Sequence, residues 1–177
     1  MPTVLEAGPL HATLPPPTVI DVEASGFGKG SYPIEVGFVL PDGRSDCMLI
    51  LPSDAWLHWD PSAERLHHIS RSVLTRHGCP VHEVVERLNA QLVGRTVYTD
   101  GWGNDYSWLS MLYEQVDRQP SFRLDSLHKL LTEDELARWD RTRAEVAGEG
   151  RSTRHRASAD AKLLQATVVR LRTHAAA

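Results

Sequence analysis

The residues able to do chemistry fall in three short segments of the chain. Asp21 and Glu23 lie in Thr18-Val19-Ile20-Asp21-Val22-Glu23, Asp105 follows the run Tyr98-Thr99-Asp100-Gly101-Trp102-Gly103-Asn104, and His155 precedes Asp160 by five residues. Side chains two apart on a strand point to the same face, so Asp21 and Glu23 converge if their segment is extended. Two carboxylates on one face of a buried strand are costly unless something positive sits between them, and hard divalent cations take oxygen ligands. Taken alone, the pair also fits an exposed edge strand. Its setting, with Val19-Ile20 before and Ala24-Ser25-Gly26-Phe27 after, puts it at the start of a central apolar strand.

Asp105 stands at the start of a helix pattern, where a carboxylate is favoured by the helix dipole and also fits a simple cap. Asp100 competes with it for the same role. Asp160 falls in the first turn of the last helix pattern, with His155 on the loop before it. That spacing lets the aspartate hold a metal while the imidazole, which titrates near neutrality, serves as a general base. A helix-start aspartate beside a surface histidine is the plainer reading of the same segment.

Hydrophobic spacing predicts the strands and helices that carry these groups. β-branched density predicts strands at 18–23, 34–40 (closed by the turn Pro41-Asp42-Gly43) and 47–51, an antiparallel meander. Val81, Val84, Val85, Leu88 and Leu92 predict a helix over 81–92, ended by Gly94 and followed by a strand at 95–99. A helix over 105–113, a short strand at 122–125 and a helix around 133–139 follow. The stretch Arg143–Arg154, rich in Gly, Ser and Arg, reads as a mobile loop, and the last helix runs from about 158 to 172 with Ala161, Leu164, Val168 and Leu171 on one face. Strands first, then alternating strand and helix, is the pattern of a mixed α/β sheet in one domain. Residues 1–17, ending in three prolines, read as a flexible lead-in to a domain over 18–177.

The whole chain sets limits. Its 177 residues suit one domain with a real core, and 41% hydrophobic with 24% charged residues is ordinary globular composition. No apolar run is long enough to span a membrane, and the N-terminus lacks the pattern of a secretory signal. Cys47 and Cys79 are too isolated for a CxxC site, which points to a reducing cytoplasm with buried or inert thiols. A net charge of −4 argues against a sequence-specific DNA binder. It argues little against a nuclease, whose site carboxylates are neutralised by cations.

In order and context the three segments resemble the motifs of the DEDD 3′–5′ exonucleases, in the branch with a histidine five residues before the last aspartate. That branch, DEDDh, includes the proofreading subunit of bacterial replicative polymerases, ribonuclease T and oligoribonuclease. Val19 to Phe27 looks like the D-x-E-x-[ST]-G-[LF] motif, Asp105-Tyr106-Ser107-Trp108-Leu109 like the second, and His155 to Asp160 like H-x4-D. The likeness spans about residues 18–172 and favours Asp105 over Asp100. The His-Asn pair usual before the second aspartate is replaced here by Asp100-Gly101.

The resemblance implies a ribonuclease H-like fold, a mixed five-stranded sheet flanked by helices. It implies two divalent cations, Mg2+ or Mn2+, on Asp21, Glu23, Asp105 and Asp160, and His155 as the base. Phe27 would wedge against terminal bases, with Ala24, Ser25 and Gly26 lining the ribose through backbone groups, and Trp102 could serve either packing or substrate. Substrates would be single-stranded or 3′-end RNA or DNA, and pairing as a homodimer is an expectation by analogy. Three rivals are a catalytically silent nucleic-acid- or protein-binding domain of the same fold, a metal-stabilised interaction domain, and a nucleotide hydrolase. For the last, Gly26-Phe27-Gly28-Lys29-Gly30 lacks the P-loop spacing.

Overall fold

The computed structural model describes residues 14–149 and 155–174. Five strands form one sheet: β1 (Thr18–Ala24), β2 (Pro33–Val39), β3 (Ser45–Leu49), β4 (Thr96–Thr99) and β5 (Arg123–Ser126). Their order is β3-β2-β1-β4-β5. The β1–β2 and β2–β3 pairs are antiparallel, whereas β4 runs parallel to β1 and β5 parallel to β4. The predicted meander is therefore present, and β1 is the central strand.

Among the described residues seven α-helices flank the sheet: α1 (Pro61–His67), α2 (Arg71–His77), α3 (Val81–Leu92), α4 (Trp102–Gln115), α5 (Glu133–Ala137), α6 (Trp139–Glu149) and α7 (Ala157–His174). The alternation of β1 and β2 sorts the two sides. Ile20, Val22, Ile34, Val36 and Phe38 pack with Val84, Leu88 and Leu112 of α3 and α4. Val19 and Val39 pack with Ala161, Leu164, Val168 and Leu171 of α7 and with Trp139 of α6. Each fully buried leucine of these clusters contributes about 1.5–3 kcal/mol of burial free energy. Because Asp21 and Glu23 alternate in phase with Val19, they face the α7 side. That phase is what brings Asp160 to them.

The helix predicted over 81–92 has those bounds in the structure. Several expectations need correction. α1 and α2 are absent from the sequence reading, because each is short and held by its caps, Asp60 accepting from Ser62 and Ser70 from Val73. The helix expected around 133–139 is two: α5 carries a capping box between Thr132 and Glu135, and the chain resets at Arg138 before α6. The loop expected at Arg143–Arg154 is α6 as far as Glu149, and the rest of it lies outside the described residues. An Arg141–Glu145 pair and a two-pronged Arg170–Glu149 pair tie α6 to itself and to α7. α4 begins three residues before Asp105, at Trp102, so Asp105 is not its cap.

Trp56 and Trp139 are buried, and the indole N–H of Trp59 donates to Glu64. Cys47 and Cys79 are unbridged and half-buried, less enclosed than expected. No described helix is long and apolar enough to cross a membrane.

Candidate active site

The predicted residues meet where β1 and β4, which run parallel, both end. Glu23 near the end of β1, His155 just before α7 and Asp160 in its first turn offer ligand atoms that all lie within 4.8 Å of one another. Asp160 reaches this position because α7 docks tightly on β2. Gly37, paired with Asp21 across the ladder, leaves so little room that a Cβ there would stand 2.2 Å from the Ser158 nitrogen. His155 itself is exposed and adopts a left-handed backbone, φ 61°.

Asp105 arrives from beyond the end of β4. It is buried, and its carboxylate accepts the hydroxyl proton of Thr99, the last residue of that strand. Asp21 lies within electrostatic reach of Asp105, Glu23, Asp160 and Asp100. Asp100 is turned aside: its carboxylate accepts from Arg143 of α6 at 3.1 Å.

The electrostatics are those of crowded negative charge. Burial, and then the Asp105, Glu23 and Asp160 carboxylates, push Asp21 well above the ordinary carboxylate range. Burial first, then Asp160, Glu35 and Asp105, raise Glu23 to about 7, opposed only in part by Arg156. Burial and the Asp100 charge bring Asp105 to about 7 against the Thr99 hydrogen bond. Crowded, half-desolvated carboxylate oxygens with one imidazole form a donor set that suits a hard divalent cation, which would remove this repulsion. None of these donors is a thiolate, which weighs against a structural zinc site.

A cleft of about 330 Å3 opens beside this group, lined by Val22, Glu23, Ala24, Gly26, Phe27, Ala63, Leu66, His67, Asn104, Asp105, Trp108 and His155. Phe27 is 69% exposed and leans on Trp108, ring centroids 6.0 Å apart. Trp108 is in turn fixed by donating its indole N–H to Ser31. Gly26, at φ 141°, is required: a Cβ would sit 2.6 Å from the Cβ of Asp60 and 2.7 Å from the His58 ring. Ala24 and Gly26, two of the three residues expected to line the ribose through backbone groups, stand on the cleft wall, and the Ser25 side chain is turned inward. It is buried, within hydrogen-bond distance of the His58 ring, and accepts from the Tyr32 N–H. A larger groove of about 530 Å3, between Tyr106 of α4 and Leu124 of β5, contains none of the predicted site residues.

Other cleft residues are not expected from the sequence. Ala63, Leu66 and His67 come from α1, and no sequence signal marks that short helix as part of a site. His67 accepts the Ile69 N–H at Nδ1, so when neutral its proton is on Nε2, which has no partner among the described residues. Burial lowers its pKa and keeps it neutral. Asn104 does carry a signal, as the neighbour of Asp105.

No protein-family profile matches the sequence, and no curated protein does. Solved structures do match. An exonuclease I from Methylocaldum szegediense superposes with a TM-score of 0.67 at 16% identity, over 89% of this chain and 42% of that one. The zinc-bound exonuclease I–ssDNA complex of E. coli gives 0.70 at 14% identity, over 89% and 40%. A full-length 3′-exonuclease gives 0.64 at 12% identity, over 89% and 81%. The fold is the ribonuclease H-like fold of these exonucleases. The chain spans about two fifths of the length of the exonuclease I structures it matches.

Proposed function

We propose that this chain is a metal-dependent 3′–5′ exonuclease acting on the 3′ ends of single-stranded or short nucleic acid, releasing nucleoside 5′-monophosphates. The observation that carries the reading is the convergence of Glu23, His155 and Asp160, with Asp21 and Asp105 in electrostatic reach, beside an open cleft edged by an exposed phenylalanine. The fold shared with exonuclease I, one example of it bound to ssDNA, supports it.

In this reading Asp21, Glu23, Asp105 and Asp160 would hold two divalent cations, Mg2+ or Mn2+. Bound there, such ions supply charge to stabilise the attacking and leaving oxygens of an in-line displacement. His155, exposed at the cleft edge, takes the proton of the attacking water. Water's oxygen bonds to phosphorus, the bond to the 3′-oxygen of the preceding nucleotide breaks, and that oxygen is protonated as the new 3′-hydroxyl. Phe27 stacks on the terminal base, which tolerates any base identity. The walls at Ala24 and Gly26 receive the sugar.

The test is digestion of 5′-labelled RNA and DNA oligomers with Mn2+, products being resolved by length. Stepwise shortening from the 3′ end is expected, lost on Asp21→Ala or Asp160→Ala with the fold intact. His155→Ala should slow it by orders of magnitude with little loss of metal binding. Full activity in either aspartate variant would sink the reading. Metal binding with no cleavage would instead support a catalytically silent domain.

A further inference from the structure

We infer that Glu35 is the positioning residue of this site, a buried carboxylate that sets where His155 and Asp160 stand without itself touching metal or substrate. Glu35 lies directly across the ladder from Glu23 and has no exposed surface. By position it resembles one more acidic ligand, but its oxygens are already engaged. Oε1 accepts from Arg156 Nε at 2.9 Å and Nη2 at 2.6 Å, and Oε2 accepts from Nε at 3.1 Å and from the Ala157 N–H at 2.8 Å.

The partners of Glu35 are the two residues that open α7. The carbonyl of Arg156 accepts the N–H groups of Ala159 and Asp160, at 2.8 and 3.0 Å, so Arg156 begins the helix ladder on which Asp160 sits. His155 is the residue before it. Holding the Arg156 fork and the Ala157 amide at once fixes both the rotation and the approach of the first helical turn. Gly37, two residues along the same face of β2, permits the close packing that the clamp requires. The same strand pairing that aligns Glu35 with Glu23 therefore brings the α7 groups to the β1 carboxylate. Partners that orient metal ligands in this way usually matter about 10–100-fold in metal affinity or activity.

The activity arm of the test rests on the exonuclease reading; the metal-binding arm does not. Glu35→Gln keeps the shape but loses the charge and turns one of the two accepting oxygens into an NH2 donor facing Arg156 or Ala157. Arg156→Lys, on a side chain 44% exposed, keeps the charge and loses the fork. Mn2+ affinity by calorimetry, kcat and KM on an oligonucleotide, and amide exchange of Ala157–Asp160 are measured alongside a thermal midpoint.

Both variants should bind Mn2+ at least about tenfold more weakly and lose kcat by about as much, with KM nearly unchanged and the α7 amides less protected. The double variant should be no worse than the more impaired single one, since one clamp is broken. Wild-type Mn2+ affinity and kcat in Glu35→Gln, or a lowered thermal midpoint alone, would overturn the inference. If Glu35→Gln does not fold, Arg156→Lys decides by the same criteria. A wild-type protein that cleaves nothing, with weakened Mn2+ binding in the variants, would leave the clamp standing and remove the exonuclease reading.

Discussion

The hydroxyl of Thr99, the last residue of β4, donates to the carboxylate of Asp105 one turn into α4. Thr99 also accepts the Gly101 N–H at 3.2 Å, so one side chain ties the strand end, the turn and the site aspartate together. This bond favours the charged carboxylate and opposes the burial that raises Asp105 to about 7. Thr99→Val should therefore raise the Asp105 pKa further. The acid limb of kcat/KM, measured at low Mn2+, should move to higher pH; an unshifted limb would exclude this role for Thr99.

The metal-free protein should lose stability as pH rises. Glu23 and Asp105 reach about 7 in the folded state, above the values of exposed carboxylates, and Asp21 is also raised. The folded state thus holds protons that the unfolded chain releases. The sign follows: their contribution is complete below the ordinary carboxylate range and is lost as pH rises through about 7. A chelated sample should show a falling thermal midpoint between about pH 5 and 8, and Mn2+ should flatten it. Calorimetry near pH 6 in buffers of different ionisation enthalpy should detect proton release on Mn2+ binding. A flat metal-free profile would contradict the account.

Phe27→Ala should weaken substrate binding without harming the fold, since the ring is mostly exposed. Loss of a stacked base costs about 1–3 kcal/mol, a rise in KM of roughly fivefold to over a hundredfold. An unaltered KM combined with a lower thermal midpoint would make Phe27 a packing residue.

Gly37→Ala tests the docking of α7. The added methyl would collide with backbone at Ser158 rather than with a movable side chain, so the helix must shift. A cost of about 1–3 kcal/mol is expected from overpacking. Mn2+ affinity should fall with it, because Asp160 moves with the helix. Stability lost with Mn2+ affinity retained would show that the site tolerates displacement of α7.

Elements defined by a long apolar repeat are legible in the sequence. α3 is bounded by its valines and leucines, and α7 is marked by Ala161, Leu164, Val168 and Leu171. Elements that depend on local caps are not: α1 rests on Asp60 and α5 on the Thr132–Glu135 box, signals only a few residues long. α6 has the glycine and arginines of a loop composition, yet it is a helix. Its helicity is supported by pairs such as Glu149–Arg170, whose partner lies in another helix.

That Asp21 and Glu23 share a face follows from their spacing alone, because side chains on a strand alternate whatever the fold. That His155 and Asp160 stand close together follows in the same way, since only four residues separate them. That these two pairs come together depends on the folded chain, on the register of β1 against β2 and on α7 docking over Gly37. The folded chain also sets what each nearby acid faces. Asp100 is drawn to Arg143, and Glu35 is spent on Arg156 and Ala157. Asp105 is held by Thr99 within reach of Asp21. A carboxylate's availability is set by the partners packed around it, and those partners come from distant segments that no local pattern brings together.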